Sequence, residues 1–580
     1  AIHGAQIGRR LGPTVMAPAP SDDALLQLSV KDLAAAIACE AVSAVQVLDA
    51  FWRRAEAIHG ACNCVTCFVE EAWQWAEDAD AHLRNTGHLL GPLHGVPCSI
   101  KDHLALKGYP VTMGVRSLRE KQEKHPSSRT STLVNALRKA GAVIFCKTTM
   151  TQLGETWGGG SAAYGDTLNP WDTLRTSGGS SCGEGALVGA AGSPFGIGSD
   201  IGGSVRIPAS FCGICALKPT TSRMTFNWET GQTILSHPGD YGVLATPGPM
   251  AKRVDDLIEV CAAVWDTPYY ESDIRIPPLP FRKDATQISK VLRIGWYTHG
   301  YVYPEPCRSV VRAVEDVRLA LEAAGHHLVA FKPWESCPLA DIQGCDVAME
   351  RLVELEGGAL VGASPPEPLS PLTSQDSHPD HWSHPASRDL LPKAGTQSAT
   401  FTKMPPTNSP KRYQTAIALR DRLRDKFAQS WKAQELDLVL CPVFPFPAPP
   451  VEEVRKGSNR YIHTRIYNFM DYAAGVVPVT RVTQEDLAQT YNPQTDDIPL
   501  AEMAMKAVHG SLGLPIAVQI VAPPWREELC LGGMLEVERL LQFDMEHSRA
   551  SPVPRRSPSL GARPEFTECW DGLRPERSRL

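Results

Sequence analysis

Between residues 157 and 206 glycine and serine dominate, yet the same stretch carries Leu187, Val188, Phe195 and Ile197 and single charges at Glu184, Asp200 and Arg206. A flexible linker has no use for so many side chains of the kind that become buried. The segment therefore belongs to a folded core, in which glycine supplies backbone conformations closed to other residues. On both sides of it helical and strand patterns alternate, which is the mark of an α/β protein.

Upstream, Leu33, Ile37, Val45, Leu48 and Phe51 give residues 25–59 a helical pattern, with Ser29 and Ser43 as candidate caps, and a second helical stretch covers roughly 69–85. Residues 94–102 leave a Gly/Pro turn as a short apolar strand that delivers Lys101 at its end. The spacing predicts an amphipathic helix over 130–141, closed by Gly141, and a strand over 142–147. A strand over 291–297, a helix over 308–324 and a strand over 327–331 repeat the unit. A helix with Leu419, Leu423, Phe427 and Trp431 every four residues precedes a strand over 436–441. Residues 362–410, rich in Pro, Ser, His and Thr, read as a polar surface insertion. Residues 1–22 read as a loose lead-in, and 544–580 as a disordered tail of Arg, Pro and Ser.

Composition narrows the function. The 580 residues are 43% hydrophobic and 21% charged, ordinary for a chain with a sizeable core, although length alone suggests several domains. A net charge of -7 offers no basic footprint for nucleic acid or an anionic membrane surface. Sixteen cysteines are too dilute for a disulfide framework, and runs such as Val143-Ile144-Phe145-Cys146 point to reduced, buried thiols. Cys62, Cys64 and Cys67 have metal-like spacing, but no second His or Cys motif completes a four-ligand set. Cys212 and Cys215, among Phe211, Ile214 and Leu217, read as a packed pair in preference to a redox motif. No apolar run reaches the ~18 residues of a membrane span. The chain begins with Ala1, so an upstream signal or anchor stays open.

Three separated segments carry chemistry. Lys101, beside Ile100 on its apolar strand, is placed to lose solvation and act as a neutral base, although a lysine at a strand end is more often simply exposed. Residues 176–185 hold Ser180 and Ser181 between glycines; a phosphate cradle is the competing reading, but the P-loop pattern and its lysine are absent. Residues 198–208 contain Asp200, Ile201, Gly202, Gly203, Ser204 and Arg206. The backbone N–H groups from Ile201 through Ser204 can form a nest for an oxyanion beside the Ser204 hydroxyl.

Taken together, the Lys101 strand, the Gly/Ser loop and the Asp-Ile-Gly-Gly-Ser segment resemble the amidase signature family, whose catalytic device is Ser-cisSer-Lys, in the order lysine, bridging serine, nucleophile. Within it the resemblance is nearest to fatty acid amide hydrolases. It is carried by residues 192–219, 277–282, 474–480 and 524–531, and extends over roughly 24–543. The resemblance implies an α/β fold of one amidase domain over 23–543, a large mixed sheet wrapped by helices in α/β/α layers. It implies Ser204 as nucleophile, Ser180 as relay, Lys101 as base, and Ile201, Gly202, Gly203 and Ser204 as the oxyanion hole. Ser181 and Asp200 match positions that hydrogen-bond the lysine and its serine, and Arg206 matches one that braces the loop. No metal or organic cofactor is required.

The implied substrate is a small-molecule amide, first of all an N-acylethanolamine or a primary fatty amide. A short-chain, acetamidase-like amidase and a glutamine-hydrolysing amidotransferase subunit are the alternatives, and a non-catalytic binding protein on the same scaffold is a fourth reading. A cytoplasmic location or one peripheral to an intracellular membrane, with a peripheral membrane contact and a homodimer left open, goes with this reading. Two departures stand out: Cys182 replaces the small residue usual in the loop, and 362–410, with His378, Asp380, His381 and His384, is too polar to enter a bilayer.

Overall fold

The strand that carries Lys101 lies inside one sheet that gathers segments from residue 65 to residue 522. The structure, a computed structural model, describes residues 21–154, 156–226, 242–266, 269–273, 275–299, 304–336, 410–454, 463–493 and 498–543. The tail, residues 1–20 of the lead-in and residues 362–409 of the insertion lie outside the described residues.

In chain order the strands are β1 (Val65–Phe68), β2 (Pro97–Lys101), β3 (Val143–Thr148), β4 (Gly160–Ser161), β5 (Gly165–Asp166), β6 (Phe195–Asp200), β7 (Cys215–Lys218), β8 (Thr246–Ala251), β9 (Arg293–Trp296), β10 (His327–Ala330), β11 (Leu438–Pro442), β12 (Ala473–Arg481) and β13 (Pro515–Ala522). β4 and β5 form a small hairpin sheet, and the other 11 make one mixed sheet ordered β1-β3-β2-β6-β8-β7-β12-β13-β11-β9-β10. β2 runs parallel to both β3 and β6, and β9 runs parallel to β10 and β11; the remaining pairs are antiparallel. The central strands β2, β3, β6, β7, β8 and β13 are buried throughout. Continuous burial, without alternation, is what a sheet covered on both faces requires. Helix Glu527–Leu541 packs on β12, and Arg308–Ala323 on β13.

The helical pattern of 25–59 resolves into Asp22–Leu25, Val30–Ala38 and Ala44–Cys62. The breaks fall where the two serines cap: Ser29 Oγ accepts from the Asp32 N–H at 3.0 Å, and Ser43 makes a reciprocal capping box with Gln46. Between them Glu40 takes a left-handed φ of 56°, which ends the second helix. The predicted β-α-β units appear as helix Thr132–Lys139 with β3, and as β9, helix Arg308–Ala323 and β10.

Among the described residues the free thiols are all buried except Cys39, which is exposed, and the half-buried Cys67. Cys212 Sγ donates to the Ser177 carbonyl and Cys215 Sγ to that of Lys252, so the pair separates into two packing roles. Burial pushes the Cys62 thiol up to about 12 and Cys67 to about 11. Among the described residues no group of three or more His, Cys, Asp or Glu could hold a metal ion, and no helix is long and apolar enough to cross a membrane.

Candidate active site

Strand β2 ends in Lys101 deep in the sheet, with 0% of its surface exposed. Its Nζ donates to Ser180 Oγ at 2.8 Å and to Ser199 Oγ at 3.0 Å. Burial pushes the Lys101 amine down to about 7, against the smaller opposing pull of Cys182, Asp200, Glu184 and Asp102. A lysine so placed is half neutral near physiological pH and can take a proton from a hydroxyl.

Ser180 comes from the glycine loop ahead of helix Cys182–Gly189, and the Gly179–Ser180 peptide is cis. The loop is pinned from three sides. Thr176 Oγ1 accepts from the N–H groups of Gly159 and Gly178, both at 3.0 Å, and the Ser180 carbonyl accepts from the Thr151 N–H at 3.1 Å. A Cβ on Gly179 would lie 2.5 Å from Thr151 Oγ1 and 2.7 Å from the Gly158 carbonyl oxygen, so the close approach admits glycine alone.

Ser181 and Asp200 do not reach Lys101 in the way the resemblance implied; Ser199 takes that second bond. Ser181 Oγ donates to the Ser199 carbonyl at 3.3 Å and accepts from the Ser199 N–H at 3.2 Å. The Ser181 N–H donates to the Ser204 carbonyl at 3.0 Å, joining the Ser180 loop to the Ser204 loop. Asp200 organises the Ser204 loop: it accepts from the N–H groups of Gly203 at 2.8 Å, Val205 at 3.1 Å and Arg206 at 3.4 Å, and from the Arg206 guanidinium at 2.9 and 3.0 Å. Burial alone would raise the Asp200 carboxyl, but the Arg206 charge overrides it and holds the group well below the usual carboxylate range.

Gly203 is the exception among the four expected oxyanion donors, because its N–H is committed to Asp200. The N–H groups of Ile201, Gly202 and Ser204 have no acceptor among the described residues and remain free to bind an anion. Ser204 itself is 5% exposed, and among the described residues no hydrogen bond joins its hydroxyl to that of Ser180.

Four further residues hold this centre and were not singled out from the sequence: Ser199, Thr464, Asn468 and Gln519. Thr464 Oγ1 donates to the Gly202 carbonyl at 2.6 Å. The Arg206 guanidinium donates to the Thr464 carbonyl at 2.8 Å, to Gln519 Oε1 at 2.7 Å and to Asn468. A single polar residue inside an otherwise apolar run, such as Gln519 within β13, is the signal that could have marked two of them.

Gly203 sits at φ +134°, and a Cβ there would meet Thr464 Oγ1 at 2.2 Å. Gly203→Ala is therefore expected to lower kcat/KM by roughly 100-fold or more, by displacing the neighbouring N–H groups, with a loss of order 1–3 kcal/mol in stability. Activity assay and thermal melt check it together; wild-type kcat/KM would show that the loop is not held as described.

Comparison with known proteins identifies the family and the fold. The family model described as Amidase matches residues 46–531. The chain is 34% identical over 516 residues to fatty acid amide hydrolase 1 of Caenorhabditis elegans, covering 86% of this chain and 85% of that protein. It is 30% identical over 530 residues to the acetamidase of Emericella nidulans, covering 89% and 90%. Among solved structures it is similar to a fatty acid amide hydrolase, with a TM-score of 0.71 and 25% identity over 91% of this chain and 87% of that one.

Proposed function

We propose, from the premise that this chain belongs to the amidase family and is an amide hydrolase, that it cleaves fatty acyl amides through an acyl-enzyme on Ser204. The observation that carries the reading is the buried Lys101 amine 2.8 Å from Ser180 Oγ, pushed down to about 7. Neutral Lys101 takes the Ser180 proton, and Ser180 takes that of Ser204 as its oxygen attacks the carbonyl; a serine can do both because its hydroxyl donates and accepts. The carbonyl oxygen gains the negative charge, and the N–H groups of Ile201, Gly202 and Ser204 are the donors for it. The proton returns through Ser180 to the leaving amine as the C–N bond breaks. Water then releases the acid by the same route, so nothing is left over.

The same reading takes residues 23–543 as one amidase domain, on the support of the family match and of a single sheet spanning most of that range. The relative named a fatty acid amide hydrolase favours N-acylethanolamines or primary fatty amides; the acetamidase, at 30% identity, favours short acyl groups. A location in the cytoplasm or at the periphery of an intracellular membrane, and a homodimer, belong to the same reading.

Amides of rising acyl length separate the two substrates. Each buried methylene contributes ~0.8 kcal/mol, so kcat/KM is expected to climb at least about 100-fold from acetamide to a long-chain amide. A maximum at acetamide sinks the fatty reading and leaves the amidase standing. In the same assay kcat/KM should rise with pH to a half-point near 7, as Lys101 loses its proton. A half-point near the ordinary lysine value of about 10 would mean that burial does not hold Lys101 neutral, and the absence of any limb between about 6 and 10 would remove Lys101 as the base.

A further inference from the structure

One buried carboxylate near this centre has no part in the mechanism above. Glu184, on the first turn of helix Cys182–Gly189, is 0% exposed. Its Oε2 accepts from Ser99 Oγ at 2.6 Å and its Oε1 from Thr148 Oγ1 at 2.8 Å. Ser99 is two residues before Lys101 on β2, hence on the same face, and Thr148 is the β3 residue paired with Lys101. Room for the carboxylate comes from Gly196 on β6, where a Cβ would stand 1.8 Å from Glu184 Oε2. Three strands are thus shaped around an acid whose partners are the same-face neighbour and the cross-strand partner of Lys101.

We propose that Glu184 is a positioning residue for Lys101, a buried carboxylate whose charge holds the lysine in its protonated form until the pH rises high enough for catalysis. The proposal rests on the reading of Lys101 as the base. A buried charge is costly without a partner, and hydroxyls offset only part of that cost. Among the described residues Glu184 has no ion-pair partner within salt-bridge distance, so its ionised form is only partly stabilised, and the charge that favours it acts through space from Lys101.

The other groups around the two are accounted for. Asp200, from β6, is neutralised by Arg206, and Asp102, in the turn after β2, faces Lys147. The Cys182 thiol bonds Thr149 at 3.7 Å, and burial raises it. His103 is buried and held neutral by burial and by the charges of Lys101 and Lys147. Cys64, in the segment before β1, Cys98 on β2 and Cys146 on β3 lie within the electrostatic reach of Glu184, and burial raises all three thiols. Glu184 is left as the acid without a cation of its own. Burial pushes it up to about 7, so it titrates in the same range as Lys101 and the two lose protons as a coupled pair.

The test is the pH profile of kcat/KM for Glu184→Gln and Thr148→Val, with Lys101→Ala alongside. With the negative charge gone, Lys101 deprotonates more easily, and the acidic limb of Glu184→Gln is expected to move down by at least about half a pH unit. Thr148→Val removes one donor from the carboxylate, favours its protonated form and should move the limb the same way by less, which decides the matter if Glu184→Gln does not fold. A limb that stays in place while the rate falls would overturn the proposal, since a purely structural Glu184 does exactly that to a rate and nothing to a profile. If Lys101→Ala keeps both rate and limb, the assignment of the base is what fails.

Discussion

Ser204→Ala is expected to abolish labelling by a fluorophosphonate serine-hydrolase probe and to lower kcat by roughly 10^4-fold or more, the scale on which loss of a nucleophile acts when the rest of the site is intact. The substitution removes one oxygen from a loop whose shape is set by backbone and by Asp200, so the melting temperature should barely move. Lys101→Ala should still carry the nucleophile and label, far more slowly, because Ser180 then has no base to pass its proton to. Ser180→Ala should resemble Lys101→Ala, since base and relay act as a unit. Labelling of Ser204→Ala at the wild-type rate would place the nucleophile elsewhere in the chain.

Lys101, Ser180 and Ser204 could be singled out as candidates because each sits in a segment whose pattern is local, a short apolar strand ending in lysine and two glycine-bracketed serines, while the roles given to them came with the family resemblance. The partners of the site were less so. Ser199 precedes Asp200 on β6 and its importance depends on how far β2 lies from β6, a distance that no local pattern encodes. Thr464, Asn468 and Gln519 approach the Ser204 loop from more than 250 residues away in sequence. The division of labour among the four oxyanion candidates was equally hidden: Gly203 gives its N–H to Asp200 because of the turn's geometry, not its composition.

The fold shows the same division. Helix-strand units with clear periodicity were readable, whereas β8 was not, because Pro247 and Pro249 are residues that argue against an interior strand. It is nonetheless flanked by β6 and β7. The β7 pairing engages only Met250 and Ala251, which spares the proline end from needing donors on that side. Gly248, between the prolines, lies so close to β7 that a Cβ would come within 2.2 Å of the Leu217 carbonyl oxygen. In the N-terminal region the two caps, Ser29 and Ser43, were readable, whereas the exact helix ends were not, because apolar spacing continues across both serines.

Arg206→Met is expected to cost about 3–5 kcal/mol of stability, the range for removing one member of a buried ion pair, and to lower fluorophosphonate labelling by on the order of 100-fold. Arg206 ties the Asp200 carboxylate, the Thr464 carbonyl, Asn468 and Gln519 into one block, with both charged side chains at 0% exposure. Without it Asp200 keeps its backbone donors but loses the charge that offsets its burial, and its carboxyl moves above the ordinary range. The pH dependence then changes sign. In the wild type the depressed Asp200 contributes stability that is complete above the unfolded value of about 4 and is lost only as pH falls through its lower folded value. In Arg206→Met the folded carboxyl binds its proton more tightly than the unfolded one, so that contribution to stability decreases as pH rises. Adding Asp200→Asn to Arg206→Met removes the stranded charge and should recover part of the stability but none of the labelling, because the Asn amide cannot accept at both of the positions that hold the Gly203 and Val205 N–H groups. Denaturant titrations between pH 5 and 8 on the two variants, with labelling rates alongside, read both effects. Equal pH slopes for Arg206→Met and the double variant would mean that Asp200 is not the charge Arg206 exists to hold.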